Sequence, residues 1–182
     1  IAKKVADRLD ELFRNERDLF ESKWDSLKVF VQYGMLSDEK FYDRAVKFNL
    51  LTDVAGKHFT LEEYRTLTES EQTDKDGSLI WLYASDRDAQ YAAIARAESK
   101  GYSILLMDGP LDVHAVSQLE QKLEKTRFVR VDSDTIDKLI AKSEVKAVEL
   151  SEDEQSALRT IFSARLPKEE KRNYSVSLEA LG

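Results

Sequence analysis

Three aspartates stand where an α/β sheet places its chemistry. Asp86 follows the apolar run Leu79-Ile80-Trp81-Leu82-Tyr83-Ala84, Asp108 follows Tyr102-Ser103-Ile104-Leu105-Leu106-Met107, and Asp112 comes shortly after. Open parallel sheets bind ligands beyond the carboxyl ends of their strands, and carboxylates there can hold Mg²⁺ together with its retained waters. That equipment would suit a Mg²⁺-dependent phosphoryl-transfer or phospho-acceptor domain using Asp86 and Asp108. The plainer reading makes Asp86 a helix-start residue, and Asp108 and Asp112 turn and cap residues. Glycine-rich phosphate loops are excluded, because Tyr83-Ala84-Ser85-Asp86-Arg87 has no glycine to let backbone amides approach a phosphate. His58 and His114 have no His, Cys or Glu beside them at ligand spacing and read as ordinary polar residues. No Gly-x-Ser-x-Gly elbow is present, which removes the usual serine nucleophile, and Ser85 reads as a helix cap. Trp24 and Trp81 lie on apolar stripes and are expected in the core, while Arg87, Arg96 and Arg127 read as solvated charges.

These residues need elements to hold them. Two apolar runs without polar alternation are of strand length and read as strands covered on both faces. Between them Ser85 as N-cap, Asp86, Asp88 and the Ala-rich stretch from Ala89 to Lys100 predict a helix, closed by Gly101. The result is a βαβ unit with Leu79–Ala84 central. After the Asp108-Gly109-Pro110 turn, Val113, Val116, Leu119 and Leu123 predict another helix, and Arg127–Val131 a third parallel strand. Upstream, helical spacing predicts a helix over Ala2–Arg14 and a second through Leu19, Trp24 and Val31 that ends at Gly34. A third, capped by Ser37, follows over Asp38–Phe48. Val54–Phe59 reads as a turn, and Thr60 with Glu63 is a capping box opening a fourth helix. Downstream, Ile136, Leu139 and Ile140 suggest a short closing helix. Leu158, Ile161, Phe162 and Leu166 suggest one more, and Tyr174, Val176 and Leu178 a half-buried strand.

The expected fold class is therefore α/β. A helical coil over 1–72 leads to a small three-layer α/β/α domain with a three-stranded parallel sheet over 73–140. A linker over 141–150 then precedes the start of an α+β domain over 151–182. A formal charge of −7 and a pI near 5.0 argue against nucleic acid and acidic membranes as partners, since basic surface supplies most of that attraction. Cysteine is absent, which leaves no disulfide framework or thiolate site and admits a reducing compartment, with the cytoplasm as default. No apolar run approaches membrane-spanning length. The chain starts without Met and directly in helical pattern, as though cut from something larger.

Four stretches carry a resemblance: Ile1-Ala2-Lys3-Lys4-Val5-Ala6-Asp7-Arg8-Leu9, Lys28-Val29-Phe30-Val31-Gln32-Tyr33-Gly34, Gln72-Thr73-Asp74-Lys75-Asp76-Gly77 and Leu105-Leu106-Met107-Asp108-Gly109-Pro110-Leu111-Asp112. Together and in this order they resemble the HtpG family, the bacterial ninety-kilodalton heat-shock chaperones, across essentially all 182 residues. The resemblance implies an ATP-driven homodimeric chaperone of the stress response that binds unfolded clients. This chain would supply the later part of its middle domain and the start of its C-terminal dimerisation domain. It also implies that ATP and Mg²⁺ are bound by other parts of the parent, that this segment holds no catalytic, cofactor or metal residue, and that its partners are non-native clients and the remaining domains. In that family an aromatic residue often follows the acidic pair of the helix after the second strand. His114 takes its place here, within Leu111-Asp112-Val113-His114-Ala115-Val116, so that Val113, His114 and Val116 are the implied client-facing residues.

Overall fold

The computed structural model describes residues 2–133, Ile140, and helical residues 156–158 and 160–161. The chain divides into two compact units, Ile1–Ala141 and Lys142–Gly182. In the second unit, Thr160 Oγ1 donates to the Ser156 carbonyl at 2.8 Å and Ile161 is exposed. The expected linker, the rest of that helix and the strand through Tyr174 lie outside the described residues. So do Ile136 and Leu139, although Ile140 is buried in the core of the first unit.

The first unit opens with α1 (Ala2–Asn15), α2 (Arg17–Ser22), α3 (Trp24–Ser37) and α4 (Glu39–Ala45). They enclose Ala6, Phe20, Trp24, Val31, Met35 and Phe48, with Phe20 stacked edge-on against Phe48 at 6.0 Å. The expected stop at Gly34 is not used, and α3 runs on to Ser37. Glycine is there for space, because a Cβ would sit 2.6 Å from the ring of Phe41. The cap of α4 is Asp38 rather than Ser37, its carboxylate accepting from the Phe41 N–H at 3.0 Å.

The expected turn is present before His58, but the two strands that it joins had no sequence forecast. The stretch around Val54–Phe59 is the tip and return of a hairpin, β1 (Leu50–Thr52) against β2 (His58–Thr60), antiparallel, with Gly56 in the left-handed region that the turn requires. Its tip joins the main sheet, the Val54 N–H donating to the Ile104 carbonyl at 3.0 Å. α5 (Leu61–Thr68) then starts from the predicted capping box, with Thr60 and Glu63 exchanging bonds of 3.2 and 2.7 Å.

The sheet is parallel and three-stranded: β3 (Leu79–Ala84) lies between β4 (Ile104–Leu106) and β5 (Thr126–Arg130). α6 (Tyr91–Ser99) packs on one face with Ile80, Leu82 and Ile104. α5 and α7 (Asp112–Lys122) cover the other with Trp81, Leu105 and Phe128, giving the three expected layers. Both tryptophans are core residues, and Trp81 Nε1 donates to Thr68 Oγ1 at 3.0 Å. Ser85 does not cap α6, which starts only at Tyr91. The Gln90 side-chain oxygen Oε1 accepts from the Ser85 and Asp86 N–H groups, and Asp86 Oδ1 accepts from the Asp88 and Ala89 N–H groups, forming a turned segment before the helix. The polar stretch before β3 is tied into the sheet through buried Gln72, which donates to the Ile80 carbonyl and accepts from the Ser103 N–H.

Candidate client-contact surface on the seventh helix

The surface that combines an anchored base with exposed apolar groups is α7. The helix begins at Asp112, whose fully buried carboxylate accepts three hydrogen bonds: from Lys28 Nζ at 2.7 Å, from the Gly109 N–H at 2.7 Å and from Gln32 Nε2 at 2.6 Å. A buried carboxylate is tolerated only when its charge is neutralised and its lone pairs are filled, and the donors here do both. Gly109 is required for this arrangement, since a Cβ there would lie 2.9 Å from Asp112 Oδ2. The Asp-Gly-Pro-Leu-Asp sequence is therefore the local chemistry of an anchor that pins α7 to α3. Two further bonds fix the helix along its length, from Gln118 Nε2 to the Met35 carbonyl and from Lys122 to Glu39, both 2.7–2.8 Å.

From that base Leu119 points into the core, Val116 is half-buried against it, and Val113 and His114 face outward, Val113 being 75% exposed. The three client-facing candidates are thus not equivalent. Val116 divides its surface between core and solvent, and the outward apolar group is Val113. Lys28 and Gln32 were not singled out by sequence reasoning. The available signal was a polar pair four residues apart, beside the stripe of Trp24, Val31 and Met35 that α3 buries.

Beside the anchor lies a cleft of about 430 Å³ lined by Lys28, Gln32, Thr52, His58, Asp108 and Gly109. His58 Nδ1 is within 3.0 Å of Thr52 Oγ1. Asp108 borders the cleft but Asp86 does not, its carboxylate being engaged with backbone amides ahead of α6. The two aspartates expected to share a Mg²⁺ are not brought together in this cleft. Among the described residues, no group of three or more His, Asp or Glu is arranged to hold a metal ion, and no helix is long and apolar enough to cross a membrane.

No family model matches the chain. Curated relatives do: chaperone protein HtpG of Porphyromonas gingivalis is 60% identical and that of Bacteroides fragilis 56% identical, each over all 182 residues. The chain spans only 27% of the length of these relatives. Among solved structures, the middle domain of a Plasmodium falciparum heat shock protein superposes with a TM-score of 0.52 at 14% identity, covering 71% of this chain and 54% of that one. At such identity the likeness concerns the fold alone, and it extends over about half of that middle domain. Over its whole length the chain is similar to a segment of the HtpG chaperones, which bears out the resemblance carried by its motifs.

Proposed function

We propose that this chain is a non-catalytic, structural and client-contacting segment of an ATP-dependent chaperone. In this reading the parent is a cytoplasmic homodimer whose other domains bind ATP and Mg²⁺. Similarity to HtpG along the full chain supports the chaperone role. The observation that carries the client contact is the exposed Val113 at the start of a helix anchored through Asp112. A non-native segment gains by covering such a side chain, since each Å² of apolar surface withdrawn from water contributes about 25 cal/mol. Holding the helix rigid means that little ordering cost is added on binding.

Substitution in the full-length parent tests this. Val113→Ser should weaken binding of a permanently unfolded protein by roughly fivefold, equivalent to about 1 kcal/mol of lost apolar contact, and His114→Trp should strengthen it by a similar factor. Unchanged affinity in both variants would remove α7 from the client surface. Titration of the 182-residue chain with Mg-ATP should give no saturable heat, and a micromolar site would overturn the non-catalytic assignment.

A further inference from the structure

A small cavity lies beside the Asp112 anchor, where β1, β4, α3 and α7 meet. Its volume is about 20 Å³, and its polar lining comes from Lys28, Gln32, Asn49, Thr52 and Asp112. Lys28, Gln32, Thr52 and Leu106 also line the larger cleft around His58 and Asp108, so the two spaces adjoin. Asn49 belongs to the inner space only. It stands between α4 and β1, is 5% exposed, and donates its backbone N–H to the Ala45 carbonyl at 2.7 Å. Its side-chain oxygen Oδ1 is buried and receives no hydrogen bond from the described residues.

A buried amide oxygen without a donor is unfavourable, and native interiors almost always supply one, from protein or from ordered water. Trp24 Nε1 and Tyr64 Oη are also buried without a partner, but neither residue lines this cavity. The coincidence of an unpaired oxygen with a polar cavity singles out Asn49. Size and charge then select the ligand. Roughly 10–15 Å³ holds one water, provided that it meets two to four polar groups. A cation would face the Lys28 ammonium and an anion the Asp112 carboxylate, so a neutral ligand is favoured. Water also fits the hydrogen-bond inventory. Lys28 Nζ carries three hydrogens and Gln32 Nε2 two, and Asp112 takes one from each. Because water both donates and accepts, it can give a hydrogen to Asn49 Oδ1 and take one from this pair.

We propose that the cavity is a binding site for one buried water, which donates to Asn49 Oδ1 and accepts from the Lys28 and Gln32 donors of the Asp112 cluster. The water carries the polar network of α3 and α7 to the start of β1, so that the hairpin is tied to the anchor by hydrogen bonds as well as by apolar contact. The proposal goes beyond the client reading and does not depend on it, since it concerns the buried base of α7 and not the exposed Val113.

High-resolution crystals of the 182-residue chain, measured both frozen and at room temperature, test it directly. The expected result is one water at full occupancy under both conditions, within about 3.2 Å of Asn49 Oδ1 and of Lys28 Nζ or Gln32 Nε2. Asn49→Leu removes the proposed acceptor and fills part of the space. Its crystals should lack that water while the three hydrogen bonds to Asp112 remain. The proposal is overturned if the parent shows no water there, or shows one only in frozen crystals. It is equally overturned if the water touches no polar group besides Asn49, or if the same water persists in Asn49→Leu, which would show that Asn49 is not its ligand. Should Asn49→Leu fail to fold, the two data sets from the parent decide the matter alone.

Discussion

At the scale of single residues the most informative group is Asp112. Three donors converge on a carboxylate with no solvent exposure, so removing it leaves a partly buried Lys28 without its counter-charge and Gln32 without an acceptor. Breaking one side of a buried pair costs about 3 kcal/mol or more, whereas replacing both sides with apolar groups is often neutral. Asp112→Ala should therefore lower the urea midpoint strongly, and the double replacement Lys28→Met with Asp112→Leu should recover much of the loss. A single variant as stable as the parent would show that the carboxylate is not the anchor. The position of Asp112 was legible as helix-start chemistry. Its burial was not, because that depends on two side chains more than seventy residues earlier in the chain.

Elements were legible where their signals are local. The Thr60–Glu63 box reads from four consecutive residues, and the structure adds what sequence could not supply: Arg17 donates to both Glu63 oxygens, at 3.1 and 3.0 Å, tying α2 to α5. The bonds from Arg17 hold the Glu63 carboxyl below its usual range against the opposing effect of burial, and the Thr60 N–H assists. A carboxyl depressed by folding stabilises the native state above its unfolded pKa of about 4.3, and that contribution disappears as pH falls through the folded value. Glu63→Gln should thus flatten the loss of stability below about pH 4.5, as measured by urea unfolding across pH. A variant with the parent's full acid dependence would show that other carboxylates carry it. Gly34 failed as a local signal because glycine ends helices for one reason and admits a neighbouring ring for another. Here Phe41 occupies the space, and Gly34→Ala should cost about 1–3 kcal/mol through crowding of that ring. The hairpin escaped notice since strands of three residues are too short to display alternation.

For the whole molecule the question is whether the helical layer and the sheet behave as one unit within residues 1–141. Sequence reading placed a division near residue 72, where composition turns polar, yet the contacts run across it. Leu50 belongs to the helical core, Leu51 to the core under α7, and Val54 to the core under α6, so one hairpin enters all three. The Lys28–Asp112 and Gln118–Met35 bonds add polar ties between the same parts. Separately stable parts would require these shared apolar surfaces to be exposed when one part unfolds, which makes partial unfolding expensive and joint unfolding the expected behaviour. The two tryptophans allow a direct test, because Trp24 sits in the helical core and Trp81 in the sheet core. With Trp81→Phe the remaining fluorescence reports on the helices, and with Trp24→Phe on the sheet. Each substitution shifts stability by its own amount, so the comparison is made within a variant, between tryptophan fluorescence and far-ultraviolet circular dichroism in urea. Coincident midpoints are expected in both. A sheet signal that persists after the dichroism has collapsed would instead restore the division near residue 72 as a true boundary between folding units.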